Sequence, residues 1–252
     1  MYTRFFNPFN LLFDKESKTA IFLNPKVMTT SIRETYAAGC SEFRNRLDLS
    51  EGRFRWLPKA KRFPLFGPKQ YLTLLNDPAI SRFTVVRHPA DRAYSGWNDK
   101  FCQPHLRGGS YEDYPRSMRQ GVLKDFRQFA RRSGLPGAQN GTLLPFSVFL
   151  CRIENQRNDR RNQHWATQTS VTHFGRVKFD RVFRFENEIE CFFQEVFGRM
   201  GFCPDWLNAR SKIRMNHSEA NLLACSKSET ELIRRIYHDD FVNFGYSSFT
   251  VD

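Results

Sequence analysis

Lys26 is followed by three hydroxyl side chains, Thr29, Thr30 and Ser31, within FLNPKVMTTSI, residues 22–32. A lysine and hydroxyl donors between a strand and a helix bind anions well. The loop offers backbone N–H groups, and the helix start adds its positive end. A second group lies in RFTVVRHPADRAYSGWNDKF, residues 82–101. Arg87 closes an apolar run, at the strand end where open α/β sheets bind ligands. Ser95 and Arg92, three residues apart on the helix that follows, share one face, with Lys100 further on. Arg87 and Ser95 together suit one phosphate. Each group also has a plainer reading. Residues 26–31 fit an ordinary helix start beside a solvent lysine, Arg92 fits a salt bridge, and Lys100 fits a solvated tail.

The elements that must hold these residues can be traced. TAIFLN (19–24) has the composition of a short strand. Ser31 and Glu34, at capping-box spacing, place the start of a helix that runs toward Gly39. Residues 82–87 have the composition of a buried parallel strand, and Pro89 starts a helix over 89–101. A short helix is expected at 70–75 and another over 121–132, where Val122, Phe126 and Phe129 recur at helical spacing. Residues 133–140 look like a loop, 143–150 are apolar without a clear period, and 152–168 are polar. A strand is expected over 179–185, a helix over 187–200 stopped by Gly201, and a last helix over 227–238 before FVNFGY. The basic, Pro/Gly-rich stretch 52–69 reads as a surface loop. Strands alternating with helices predict the α/β class, as one domain over residues 1–252 with a central parallel sheet flanked by helices.

Composition narrows the classes. The chain has 252 residues, 40% of them hydrophobic, with 26 Phe, enough for a sizeable core and far from a disordered composition. The formal charge of +13 favours an anionic partner without separating nucleic acid, nucleotide and acidic glycan. No stretch reaches the roughly 20 apolar residues of a membrane span, and the N-terminus lacks a signal-peptide pattern, so a soluble, cytoplasmic protein is expected. Six scattered cysteines form no CxxC pair, which points to reduced, mostly buried thiols and no metal site.

Taken together, Lys26 with Thr29, Thr30 and Ser31 after the first strand, and Arg87-x-Pro89-x-x-Arg92-x-x-Ser95-x-x-x-x-Lys100 after a later one, resemble the two cofactor motifs of the sulfotransferases. The resemblance implies that a P-loop-like phosphosulfate loop, Lys26, Val27, Met28, Thr29, Thr30 and Ser31, holds the 5′-phosphosulfate of 3′-phosphoadenosine 5′-phosphosulfate (PAPS). It implies that Arg87 and Ser95 hold the 3′-phosphate. His164-Trp165-Ala166-Thr167-Gln168 is similar to the HWxPQ stretch of Golgi-type carbohydrate sulfotransferases, with Thr167 in place of proline. Residues 179–187 and 236–246 are also similar to that group. Met28 stands where a glycine is usual, and His88 where an acidic or amide residue is common.

The implied reaction is transfer of a sulfuryl group from PAPS to a carbohydrate hydroxyl by in-line displacement. Catalysis then rests on positioning and on neutralising the leaving group, for which Lys26 is the candidate, with no metal required. His164 is the first choice of base, because histidine titrates near neutrality and lies in the HWxxQ stretch. Glu34 is the alternative base, and either residue also has an ordinary structural reading. Trp97 and Trp165 fit core packing better than stacking on a ligand. Two other functions remain open at this point. A nucleotide-dependent kinase with a degenerate phosphate loop is one, although the GxxxxGK[ST] pattern is absent. A basic nucleic-acid-binding protein is the other, although no recognised module accompanies the charge. Neither nucleic acid nor a membrane is an expected partner. The basic loop 53–69 is the surface expected to meet an anionic acceptor.

Overall fold

The computed structural model describes residues 10–39, 73–102, 116, 118–137, 143–212 and 225–247. In chain order its elements begin with β1 (Leu11–Asp14), β2 (Thr19–Phe22), α1 (Thr29–Gly39), β3 (Ser81–Val86) and α2 (Pro89–Trp97). They continue with α3 (Lys124–Arg132), α4 (Phe146–Glu154), α5 (Gln168–Val171), β4 (Arg181–Arg184) and α6 (Ile189–Phe192). The last are α7 (Pro204–Ser211), α8 (Lys227–Ile236) and α9 (His238–Phe244). The expected basic loop 52–69 and Cys40 lie outside the described residues, as do 70–72 of the helix expected at 70–75 and the end of the loop 133–140. Residues 73–76 are helical.

The described residues group into two compact units. The first comprises residues 10–39, 73–87 and 168–212. Its single sheet has the order β1-β2-β3-β4, with β2, β3 and β4 parallel and β1 antiparallel to β2. The expected parallel sheet is therefore mixed, because a tight turn, Lys15–Lys18, folds the four-residue strand LLFD back against β2 as a hairpin. Asp14 braces the turn by accepting bonds from the Ser17 amide (2.9 Å) and hydroxyl (2.6 Å). In β2 the side chains alternate between the two faces. Ile21 joins Phe83, Phe183, Phe192, Phe193, Phe197 and Ile32 on one side. Ala20 and Phe22 join Leu11, Leu74, Ile80 and Val177 on the other. Strands β2 and β3 are buried along nearly their whole length, as a parallel sheet covered on two faces requires. The helix expected over 187–200 forms as α6 with a π-helical continuation, Phe193–Phe197, and Gly201 at φ +80° follows it as expected.

Lys18 ends the β1–β2 turn at φ +51° with its side chain exposed. A left-handed conformation costs a side-chain-bearing residue energy that glycine avoids. Lys18→Gly should therefore raise stability by about 0.5–1 kcal/mol, read as a higher urea midpoint at unchanged slope. A lower midpoint would contradict this account of the turn.

The second unit comprises residues 88–102, 116, 118–137, 143–167 and 225–247 and is helical. Helix α2 starts at Pro89 and continues as a π-helical turn, Asn98–Cys102. Another π-helical segment, Met118–Leu123, leads into α3. The apolar segment 143–150 resolves as the start of α4. Phe101, Phe126, Phe149 and Trp165 pack together, Phe126 stacked on Phe149 at 5.6 Å and Trp165 edge-on to both. Trp97 and Trp165 are thus core residues, 8% and 3% exposed. Ser226 and Glu229 form the capping box of α8. Among the described cysteines all are free, and Cys191 and Cys203 are exposed where burial was expected. Among the described residues no helix is long and apolar enough to cross a membrane, and no group of three or more His, Cys, Asp or Glu side chains could hold a metal ion.

Candidate active site

The chain leaves β2 through Leu23 and Asn24 and turns sharply before α1. Lys26 sits at φ +70° and Met28 at φ +52°, two left-handed residues in a turn of three. Met28 thus adopts the left-handed backbone that glycine takes freely and that costs a side-chain-bearing residue energy. Asn24 organises the turn, its carbonyl accepting the Val27 amide at 3.0 Å and the Thr29 hydroxyl at 2.9 Å. Val27 is 1% exposed and packs into the core, so it anchors the loop.

Helix α1 starts at Thr29, three residues earlier than a Ser31 cap would place it. The Ile32 amide donates to the Met28 carbonyl at 2.9 Å, which makes Met28 the N-cap and leaves Ser31 inside the first turn. The expected Ser31–Glu34 box is therefore at the wrong position to cap. The shift has a chemical consequence. The amides of Thr29, Thr30 and Ser31 become the first three of the helix, and such amides have no acceptor within the helix. They present three donors and the positive helix end directly after Lys26.

Glu34 is half-buried one turn on, and its Oε2 is enclosed without a hydrogen-bond partner. Burial pushes its carboxyl above the ordinary carboxylate range, and the charge of Arg210 partly offsets that shift.

Arg87 follows β3, which lies parallel to and beside β2 in the sheet. Its guanidinium lies over the Phe185 ring, 5.0 Å from the centroid. Lys26 and Arg87 therefore emerge from the same end of two adjacent parallel strands. Between them lies Gln168, fully buried, bonded through its side chain to Asn24 and to both backbone groups of Arg87. Sequence reasoning assigned no role to Asn24 or Gln168. The visible signal was an amide closing the HWxxQ stretch.

Ser95, Arg92 and His164 belong to the second unit. Arg92 is 1% exposed, and its guanidinium donates to the carbonyls of Ala166 (2.6 Å) and Gln163 (2.9 Å). It holds the loop 162–167 in place, a use that neither phosphate binding nor a salt bridge had anticipated. Other bonds pin the same loop. Asn162 caps the Trp165 and Ala166 amides with its carbonyl and the His164 amide with its side chain. The Tyr237 hydroxyl donates to the Trp165 carbonyl at 3.0 Å, and full burial pushes that phenol up to about 12. Thr167, in the place of a proline, donates its amide to Asn158 Oδ1, a bond proline cannot make. Gly96 lets α2 approach: a Cβ there would lie 3.1 Å from the His164 carbonyl oxygen. His164 itself is half-buried, on a backbone fixed from several sides. Ser95 is 6% exposed. Lys100 pairs with Asp99 at 2.9 Å.

The same unit has a cavity of about 440 Å³ lined by Arg116, Arg119, Lys124, Arg127 and Arg131 with two glutamines. Helix α3 buries Phe126 and Ala130 in the core and turns Lys124, Arg127 and Arg131 to this cavity. Among the described residues, no aromatic ring lines it.

A family model described as "Sulfotransferase family" matches residues 11–247. Carbohydrate sulfotransferase 11 of Mus musculus is 22% identical over 169 residues, covering 66% of this chain and 47% of that protein. Carbohydrate sulfotransferase 11 of Rattus norvegicus matches with the same identity and coverage. The chain thus spans about half the length of the curated relatives it matches. No solved structure matches it.

Proposed function

Because this chain belongs to the sulfotransferase family, we propose that it moves a sulfuryl group from PAPS to a hydroxyl of a carbohydrate. The observation that carries the reading is the left-handed turn at Lys26 and Met28. It ends in the open amides of Thr29, Thr30 and Ser31, beside a strand that ends in Arg87. This arrangement fits an anion without the glycines of the usual phosphate loop, and it fits the phosphosulfate role.

When bound, the donor supplies an activated sulfuryl group on a phosphate leaving group. The chain's residues do the rest. Lys26 and the three amides neutralise the leaving oxygen as its bond to sulfur breaks and the acceptor oxygen bonds to sulfur. Arg87, with Ser95, holds the 3′-phosphate and so fixes the nucleotide. His164 takes the proton of the acceptor hydroxyl. Similarity to carbohydrate sulfotransferase 11 favours a sugar hydroxyl as acceptor. The five cations around the α3 cavity favour an acidic sugar chain.

The test is a melting experiment. Adenosine 3′,5′-bisphosphate at about 100 times its dissociation constant should stabilise the protein by roughly 2.7 kcal/mol. At this chain length that is a rise in Tm on the order of 5–10 °C. AMP, without the 3′-phosphate, should do far less. Equal shifts from the two nucleotides would remove Arg87 and Ser95 from the donor site, and no shift from either would overturn the donor itself.

A further inference from the structure

The side chain of Gln168 replaces a piece of β-ladder. The pairing of β2 with β3 runs to Phe22 and Thr84, and the chains diverge beyond it toward Lys26 and Arg87. At that divergence Gln168 Oε1 accepts the Arg87 amide at 2.9 Å, while its Nε2 donates to the Arg87 carbonyl at 2.7 Å. One side chain thus satisfies both backbone groups of Arg87, as a neighbouring strand would. The same Oε1 accepts Asn24 Nδ2 at 2.7 Å. Only one orientation of the amide works. Reversing it would oppose two donors at Asn24 and at the Arg87 amide, and two acceptors at the Arg87 carbonyl.

Asn24 carries the linkage into the phosphosulfate loop. It is 2% exposed, and Nδ2 also lies 3.3 Å from the Val85 carbonyl, on the strand that leads to Arg87. Its own carbonyl holds the Val27 amide and the Thr29 hydroxyl. A continuous path of hydrogen bonds therefore runs from Arg87 through Gln168 and Asn24 to the turn that carries Lys26. Resting on the donor reading above, we propose that Gln168 is a positioning residue that locks Arg87 and the Lys26 loop in one register, so that both phosphate groups of a single nucleotide are met together. It touches no reacting atom. Its effect is to spare the nucleotide the ordering of two separate loops.

A fully buried amide with three bonds also supports the fold, so the test needs readouts that lost stability alone would not move. Gln168→Glu provides one. The ionised carboxylate keeps the accepting oxygen but sets a second one against the Arg87 carbonyl, whereas the protonated form regains the donor. At pH 8 the variant should bind adenosine 3′,5′-bisphosphate about 10- to 100-fold more weakly than wild type, the scale of a lost buried hydrogen bond. That ratio should shrink as pH falls toward 5.5, each pH being compared with wild type so that titration of the nucleotide cancels. Gln168→Leu should show a similar loss without recovery. In its background Arg87→Ala should cost less than in wild type, since the two residues act as one unit. A ratio that does not change with pH, or fully additive losses, would overturn the proposal.

Hydrogen exchange decides the clamp without any nucleotide. The Val27 and Arg87 amides should exchange faster in Gln168→Glu at pH 8, and the β4 amides should not. Unchanged exchange at Val27 and Arg87 would overturn the linkage even if the nucleotide binds. A wild-type protein that ignores the bisphosphate would overturn the donor reading instead.

Discussion

Lys26→Ala should lower the turnover of sulfuryl transfer by about 10²- to 10³-fold, the usual loss on removing a preorganised group that faces developing charge. In the ground state the oxygen bridging phosphorus and sulfur is shared between two groups and carries little charge. As its bond to sulfur breaks, negative charge collects there, and a cation at that point is worth more than before. The turn places Lys26 immediately ahead of the Thr29, Thr30 and Ser31 amides, so the full charge and the partial charges of the helix start act on the same region. The donor KM of Lys26→Ala should stay within about threefold of wild type, because an interaction realised mainly in the transition state appears in kcat. Arg87→Ala should show the opposite split, with donor affinity falling about 10- to 100-fold, as expected for a lost bond to a charged group, and turnover largely retained. Steady-state kinetics on labelled donor reads both. If the two variants lose only affinity, and by similar factors, Lys26 is a second binding lysine and not the group that assists bond breaking.

How much of this was legible in the sequence depended on length and on periodicity. Strands β2 and β3 were readable because both are buried on two faces and rich in β-branched and aromatic residues. The same holds for the Pro89 start of α2 and the Gly201 stop. Strand β1 was missed because four residues, Leu11–Asp14, are too few to show an alternation, and its antiparallel pairing comes from a turn without a Gly, Pro or Asn signal. Helix α7 was missed because only Leu207 and Ser211 are fully buried, with Trp206 partly so, which leaves no apolar stripe to read. Helix α9 was not anticipated: the last helix was expected to end at His238, where a new one begins after Tyr237.

The candidate site divides along similar lines. Charged and hydroxyl residues announce themselves, so Lys26, Arg87 and Ser95 could be proposed from type and spacing. What holds them did not show. Asn24 and Gln168 lie 144 residues apart in sequence, and an uncharged amide gives no hint of its partner. Arg92 reversed its expected use for a related reason. A guanidinium has donors enough for backbone carbonyls, and full burial beside Gln163 and Ala166 commits it to them. The start of α1 was misplaced by three residues because Ser31 and Glu34 imitate a capping box, while the left-handed Met28 had already capped the helix.

His164→Ala should slow transfer by about 10²- to 10⁴-fold if the imidazole is the base, the range for a positioned general base. The loop geometry favours a group that must not move. Arg92, Asn158, Asn162 and Tyr237 all bond to the backbone of residues 162–167, and Gly96 admits the His164 carbonyl against α2. So much support for one half-buried side chain suits an orientation-sensitive role. In the wild type, transfer should rise with pH along a single limb as the neutral imidazole becomes available. His164→Ala should abolish that limb as well as the rate. His164→Asn separates the two possible roles, since it keeps a hydrogen-bonding group and offers no base. A slow Asn variant with a flat pH profile supports proton transfer. An Asn variant that keeps most of the wild-type rate would make His164 a substrate contact and move the base to Glu34. That carboxyl already sits above its ordinary range through burial, and it stands one turn beyond the helix amides that follow Lys26. Glu34→Gln would then have to remove the pH limb that His164→Asn left in place.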